Sequence, residues 1–196
     1  TACGMPKSSS AESPSETEES VSPAEEGAEV REREGNELSN GENTITVSSS
    51  VNGQLLPISS VETEKKQVAL TFDAVEGNGD TAQILETLKR HDVHATFFLT
   101  GGWVEAYPDE VKALLNAGHD LGNGSDSHRS MPQLTAEQCM EEIQQAHTKV
   151  QELTGYDMFL FRPPYGDYDN QVISSAAQSG YYSILWDVDS LDWKDY

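Results

Sequence analysis

From Gln67 onward, short apolar runs alternate with amphipathic stretches. Val68-Ala69-Leu70-Thr71-Phe72 is a run that suits a buried strand. Asp80 or Thr81 can cap a following helix whose apolar face is Ile84, Leu85 and Leu88. Ala95-Thr96-Phe97-Phe98-Leu99 predicts a second buried strand. Pro108 opens a helix with Val111, Leu114 and Leu115 on one side, and Gly118 ends it. His119 to Gly122 predicts a weaker strand. Thr135 with Gln138 spells a capping box ahead of the stripe Met140, Ile143, Val150 and Leu153, which Gly155 stops. Met158 to Phe161 is strand-like. Asp169 caps a helix with Val172, Ile173 and Ala176, closed by Gly180, and Tyr182 to Trp186 predicts a fifth strand.

Five strands alternating with four helices predict an α/β fold, a parallel sheet with helical cover. Polar residues that break the pattern fall just after strands: Asp73, Asn123 to His128, Arg162 to Asp167, and Asp187 to Trp193. In parallel α/β folds the active sites gather at those strand ends. A barrel commonly needs about eight strands. Five leave the sheet open, with an unpaired edge that invites pairing or aggregation.

The first 50 residues are of another kind. They hold Lys7, Arg31 and Arg33 against eleven Glu, no Asp and no aromatic residue. A segment with so little to bury cannot offset its chain entropy, so residues 1–50 are expected to be a disordered acidic tail. Residues 51–196 are expected to form the domain, with the folded part starting between Thr44 and Leu56. The start, Thr1-Ala2-Cys3-Gly4, looks like the end of a bacterial lipoprotein signal, with Cys3 as the lipidated residue. On that reading the chain is extracytoplasmic, and its membrane contact is the lipid on Cys3. The plainer alternative is an incidental Cys in a tail that starts at Met5.

The whole chain of 196 residues carries 34 Asp plus Glu and 12 Lys plus Arg, for a net charge of -22. Such a balance repels a nucleic-acid backbone, so no nucleic-acid partner is expected. Two cysteines, Cys3 and Cys139, cannot make a disulfide scaffold.

Five motifs then stand in order: Thr71-Phe72-Asp73, Ala95-Thr96-Phe97-Phe98, Gly118-His119-Asp120-Leu121-Gly122-Asn123, Arg162-Pro163-Pro164-Tyr165-Gly166 and Asp189-Ser190-Leu191-Asp192-Trp193. Together they resemble the polysaccharide deacetylase family, the NodB-homology domain of carbohydrate esterase family four. Gly77-Asn78-Gly79-Asp80-Thr81 and Trp186-Asp187-Val188-Asp189 look most like its sporulation-associated branch. The resemblance implies a distorted (β/α) barrel, here incomplete at its C-terminal side. It also implies removal of N-acetyl groups from peptidoglycan or a chitin-like polymer by a water held on a divalent metal, zinc or cobalt.

By the same resemblance, Asp73 matches the base, and Arg162 matches the residue that holds its carboxylate. Tyr165 offers a backbone N–H to the oxyanion, and Pro164 stiffens that loop. Asp189 matches the carboxylate that tunes the acid, and Trp193, with Pro164, matches the acetyl pocket. Taken singly, each has a plain structural reading: a helix cap, a surface ion pair, a core aromatic.

The departures fall on the metal. The family pattern has Asp where this chain has Ala74, and His where it has Gly124, in Gly124-Ser125-Asp126-Ser127-His128. Only His128 remains of three protein ligands, whereas catalytic zinc normally keeps three. Asp126, Glu76 and Asp80 are candidate substitutes for a more oxygen-rich site. The family's last motif, Leu-x-His, supplies a general acid and is expected beyond Tyr196. Two functional readings follow: a metal-dependent deacetylase, and an inactive member that binds cell-wall glycan or a partner in the same groove.

Overall fold

The computed structural model describes residues 36–39, 44–47, 50–51, 54–61 and 63–194. Cys3 and most of the expected tail lie outside these residues. Where the expected tail does reach them, Asn36–Ser39 pairs antiparallel with Thr44–Val47. The run Thr44-Ile45-Thr46-Val47 is β-branched throughout, which favours a ladder.

The main sheet has five parallel strands in chain order: β1 Thr71–Ala74, β2 Thr96–Leu99, β3 Asp120–Asn123, β4 Leu160–Phe161 and β5 Tyr182–Ser183. Helices α1 Thr81–His91, α2 Gly101–Ala106, α3 Pro108–Asn116, α4 Ala136–Thr154 and α5 Asn170–Gln178 connect them. Among the described residues the sheet does not close. The edge expected to be bare at β5 is partly covered: Ile58 N–H donates to Ser183 O over 2.8 Å, and Leu185 N–H donates to Ile58 O over 2.8 Å.

Alternation along the strands sorts the two faces. Phe72, Ala74, Phe97, Leu99, Leu121 and Phe161 pack with the helical residues Leu88, Val111, Leu114, Ile143, Val150 and Val172 into one core. The other face presents Asp73 and Phe98.

The first strand starts later than the apolar run suggests. Val68 is 94% exposed and Leu70 is exposed too, while register pairs Thr71 with Thr96 and Ala74 with Leu99. The strand therefore carries Asp73 inside it. The fourth and fifth strands are also shorter than the runs predicted for them.

Three caps form as their residues require. Thr135 Oγ1 accepts from Gln138 N–H while the Gln138 side chain accepts from Thr135 N–H. Gly155 ends α4 in the left-handed conformation at φ 74°. Asp169 Oδ1 accepts from Val172 N–H over 2.9 Å. Asp80 occupies the cap position of α1, but its side chain makes no capping bond there. Helix α2 has no counterpart in the sequence pattern, because six residues beginning Gly-Gly carry no helical period. Its start is fixed by Thr100, whose hydroxyl accepts from Trp103 N–H over 3.2 Å.

Candidate functional site

Asp73 is the penultimate residue of β1, and Arg162 follows β4. Arg162 Nη1 donates to Asp73 Oδ1 over 2.7 Å. Its Nη2 donates to Thr71 Oγ1 over 2.9 Å and to Leu185 O over 3.3 Å. The guanidinium lies 4.0 Å from the Phe98 ring centroid and 5.3 Å from that of Trp186. Glycines make room for both rings. A Cβ on Gly122 would collide with the Phe98 ring, and one on Gly166 would come within 2.8 Å of Trp186. Arg162 is thus a buried cation held by several acceptors and two aromatic faces.

The loop after β3 supplies the opposite wall. Asn123 Oδ1 accepts from Ser125 N–H over 2.9 Å, and Ser125 Oγ accepts from His128 N–H over 3.1 Å. This brings the His128 ring to 4.6 Å from that of Tyr165. Burial lowers the His128 pKa and outweighs the opposing pull of Asp73 and Glu76, so the imidazole is neutral near pH 7. Tyr165 itself sits at φ 61° in the turn Pro164–Gly166 and is 68% exposed. Asp73, Gly124, His128, Arg162 and Tyr165 line one pocket at the C-terminal ends of the strands.

The polysaccharide deacetylase family model matches residues 60–184, which include every residue lining the pocket. The chain belongs to the polysaccharide deacetylase family. It is 36% identical over 133 residues to the peptidoglycan-N-acetylmuramic acid deacetylase PdaA of Bacillus subtilis, covering 67% of this chain and 51% of that protein. It is 38% identical over 155 residues to the peptidoglycan-N-acetylglucosamine deacetylase PgdA of Listeria monocytogenes, covering 76% of this chain and 32% of that protein. The chain therefore spans about half, or less, of these relatives. Among solved structures it is similar to BA3943 of Bacillus anthracis, described as a pseudoenzyme of carbohydrate esterase family four. The TM-score is 0.66 with 32% identity, over 75% of this chain and 50% of that one. A mutant of BA3943 is described as having restored enzymatic activity.

In this deacetylase-family pocket the donors do not suit a divalent metal. Ala74 has no donor atom and packs against the helix-side core. Gly124 has none either, and a Cβ there would lie 3.2 Å from Leu99 O. Asp126, a candidate substitute, receives Lys149 Nζ over 2.7 Å and lies where a Cβ on Gly101 would collide with it. Asp80 is exposed at the start of α1. Among the described residues, no three His, Cys, Asp or Glu side chains gather as a metal site. One neutral imidazole is a poor site by itself.

The pocket joins Asp73, His128, Arg162 and Tyr165, but not every residue the motifs single out. Asp189 is exposed, and its Oδ1 accepts from Leu191 N–H over 2.8 Å, closing a local turn. Trp193 is 72% exposed under Lys194 Nζ, 4.7 Å from its ring centroid. Pro164 is buried behind the turn, and Pro163 lines the pocket in its stead. Two residues received no site role from the sequence. Trp186 stands there at a strand end and in a branch-specific motif, and in the structure its ring lies over the Arg162 guanidinium. Glu142 lies on the buried stripe of α4 with Cys139, Ile143, Ala146 and Val150. A carboxylate at a core position of an amphipathic helix is the signal that could have found it.

Proposed function

We propose that this chain is a catalytically silent member of the polysaccharide deacetylase family that binds amino-sugar glycan, peptidoglycan above all, at the Asp73–Arg162–His128–Tyr165 pocket. One observation carries the reading. The groups suited to hydrogen-bond an N-acetylated sugar are assembled, while Ala74 and Gly124 stand where two metal ligands would be. Asp73 accepts, neutral His128 can donate or accept, and Tyr165 offers an exposed ring for stacking on a sugar face.

The reading places the protein on the cell-wall side, with Cys3 as a lipid anchor. It leaves open which amino sugar is preferred, since relatives of similar identity are named for acetylmuramic acid and for acetylglucosamine. The intact Asp73–Arg162 pair favours a second reading, hydrolysis of the acetamide with a metal recruited from solution.

Calorimetry with chitotetraose in the presence of a chelator separates the two, alongside acetate release with and without zinc. Binding that survives chelation without acetate release is the expected result. Zinc-dependent acetate release would replace the first reading with the second.

A further inference from the structure

Glu142 is buried on α4, where an unpaired carboxylate would cost several kcal/mol. Its oxygens point into the loop that carries His128. They accept from Asp126 N–H over 3.1 Å, Ser127 N–H over 2.8 Å and Ser127 Oγ over 2.7 Å. They also accept from Arg129 Nε over 3.1 Å and Arg129 Nη2 over 2.6 Å. Burial alone would raise the pKa of this carboxyl, but the hydrogen bonds from Ser127 and Arg129 lower it overall, so it stays charged.

The loop needs such a partner. Ser125 at φ 70° and His128 at φ 55° both occupy the left-handed region without being glycine. Conformations of this kind are unfavourable for residues other than glycine and persist only where the surroundings over-determine them. Two further contacts hold the same segment. Gly101 N–H donates to Ser125 O over 3.0 Å, and Lys149 reaches Asp126 from the same helix as Glu142.

We infer that Glu142 is a positioning residue. It fixes the Gly124–Arg129 loop from below, so that His128 faces Tyr165 with no metal needed to order the loop. The disagreement between the family's metal and this chain's donors then has a structural counterpart: the site is shaped by a carboxylate beneath the loop. The functional consequence rests on the glycan-binding reading; the loop geometry does not.

The test is NMR of the full chain with chelator present. It follows the His128 Cε1–H signal, assigned with His128→Gln and calibrated with Tyr165→Leu, which removes the ring-current shift. Glu142→Gln should abolish most of the Tyr165-dependent shift and weaken chitotetraose about tenfold. Should that variant fail to fold, Ser127→Ala with Arg129→Ala removes three of the five donors and keeps the carboxylate, and the shift should then fall partway. An unchanged shift in these variants overturns the inference, as does zinc restoring the shift in Glu142→Gln. If the shift behaves as expected but even the wild-type chain fails to bind chitotetraose, the positioning role stands and the glycan-binding reading falls.

Discussion

Arg162 Nη1 reaches Asp73 Oδ1 over 2.7 Å, from a side chain almost entirely buried to one half open to solvent. The relationship is one-sided in its construction. The cation is fixed by Thr71, Leu185, Phe98 and Trp186, while Asp73 is free to meet a ligand on its open side. Asp73 is nearly half open to solvent, so water screens part of the pair's attraction. The pair's value here is orientation, because the carboxylate is held in one place at the pocket rim.

That construction predicts a ranking. Trp186→Phe keeps an aromatic face over the guanidinium and should hold chitotetraose affinity within about threefold. Trp186→Ala removes it and should weaken binding about tenfold. Arg162→Lys keeps the charge but cannot serve Asp73, Thr71 and Leu185 O together, so it should resemble Trp186→Ala. Calorimetry on the three variants checks the order. Equal affinities throughout would show that the stack does not control Asp73.

The donor set predicts the response to metal. The wild-type chain should show no zinc binding above background by calorimetry. Gly124→His alone should also fail, since two imidazoles leave the site short of the usual three ligands. It should cost about 1 kcal/mol of stability as well, because its Cβ presses on Leu99 O at 3.2 Å. Ala74→Asp together with Gly124→His should bind zinc. No binding by the double variant would mean that a carboxylate at position 74 stays on the core side, where Ala74 packs, and does not turn into the pocket.

Much of this was legible in the residues, and the failures have physical causes. The alternation of apolar runs and amphipathic stripes reports burial, so the five strands, four of the five helices and their apolar faces followed from it. It does not report hydrogen-bond register. For that reason β1 begins at Thr71 although the apolar run begins at Val68. The pocket residues Asp73, His128, Arg162 and Tyr165 were legible through the family resemblance, helped by their position in or beyond the C-terminal ends of strands. Asp189 and Trp193 shared that signal yet lie in an exposed turn, since chain proximity to a strand end does not fix which way a loop folds. The carboxylate of Glu142 on a buried helix stripe was a signal in the sequence, but its partners, Asp126, Ser127 and Arg129, are 13 to 16 residues away and could not be named from spacing.

At the opposite end of the sheet, His119 predicts how stability varies with pH. Its ring is buried, its Nδ1 accepts from Ala95 N–H over 3.4 Å, and His94 lies 6.0 Å away ring to ring. Burial first, then His94, lower its pKa below the ordinary 6.5, against a weaker raising effect of Asp120. Above pH 6.5 both folded and unfolded chains hold it neutral, and it contributes no pH dependence. As pH falls below 6.5 the unfolded chain takes up the proton first, so stability drops until the folded-state pKa is passed. Urea unfolding between pH 7.5 and 5 should show this decline, and His119→Gln should flatten it. An unchanged slope in the variant would assign the decline elsewhere.

Behind the pocket, Asn123 binds four segments together. Its Nδ2 donates to Ile143 O over 2.8 Å and to Tyr181 Oη over 3.3 Å, its Oδ1 holds Ser125, and its backbone carbonyl accepts from Arg162 N–H over 2.9 Å. Tyr181 Oη lies 2.6 Å from His147 Nδ1 in a hydrogen bond whose direction follows the imidazole tautomer, and burial raises the phenol pKa to about 12, so the hydroxyl keeps its proton. Tyr181→Phe leaves the imidazole nitrogen without its partner and Asn123 with one acceptor fewer, a loss of about 1–2 kcal/mol. Asn123→Asp removes both Nδ2 donors and buries a carboxyl, for about 2–4 kcal/mol. Because the two residues share one bond, the double variant should cost less than the sum of the singles. Urea denaturation of the four proteins measures that coupling. Strict additivity would mean that the Asn123–Tyr181 contact contributes nothing.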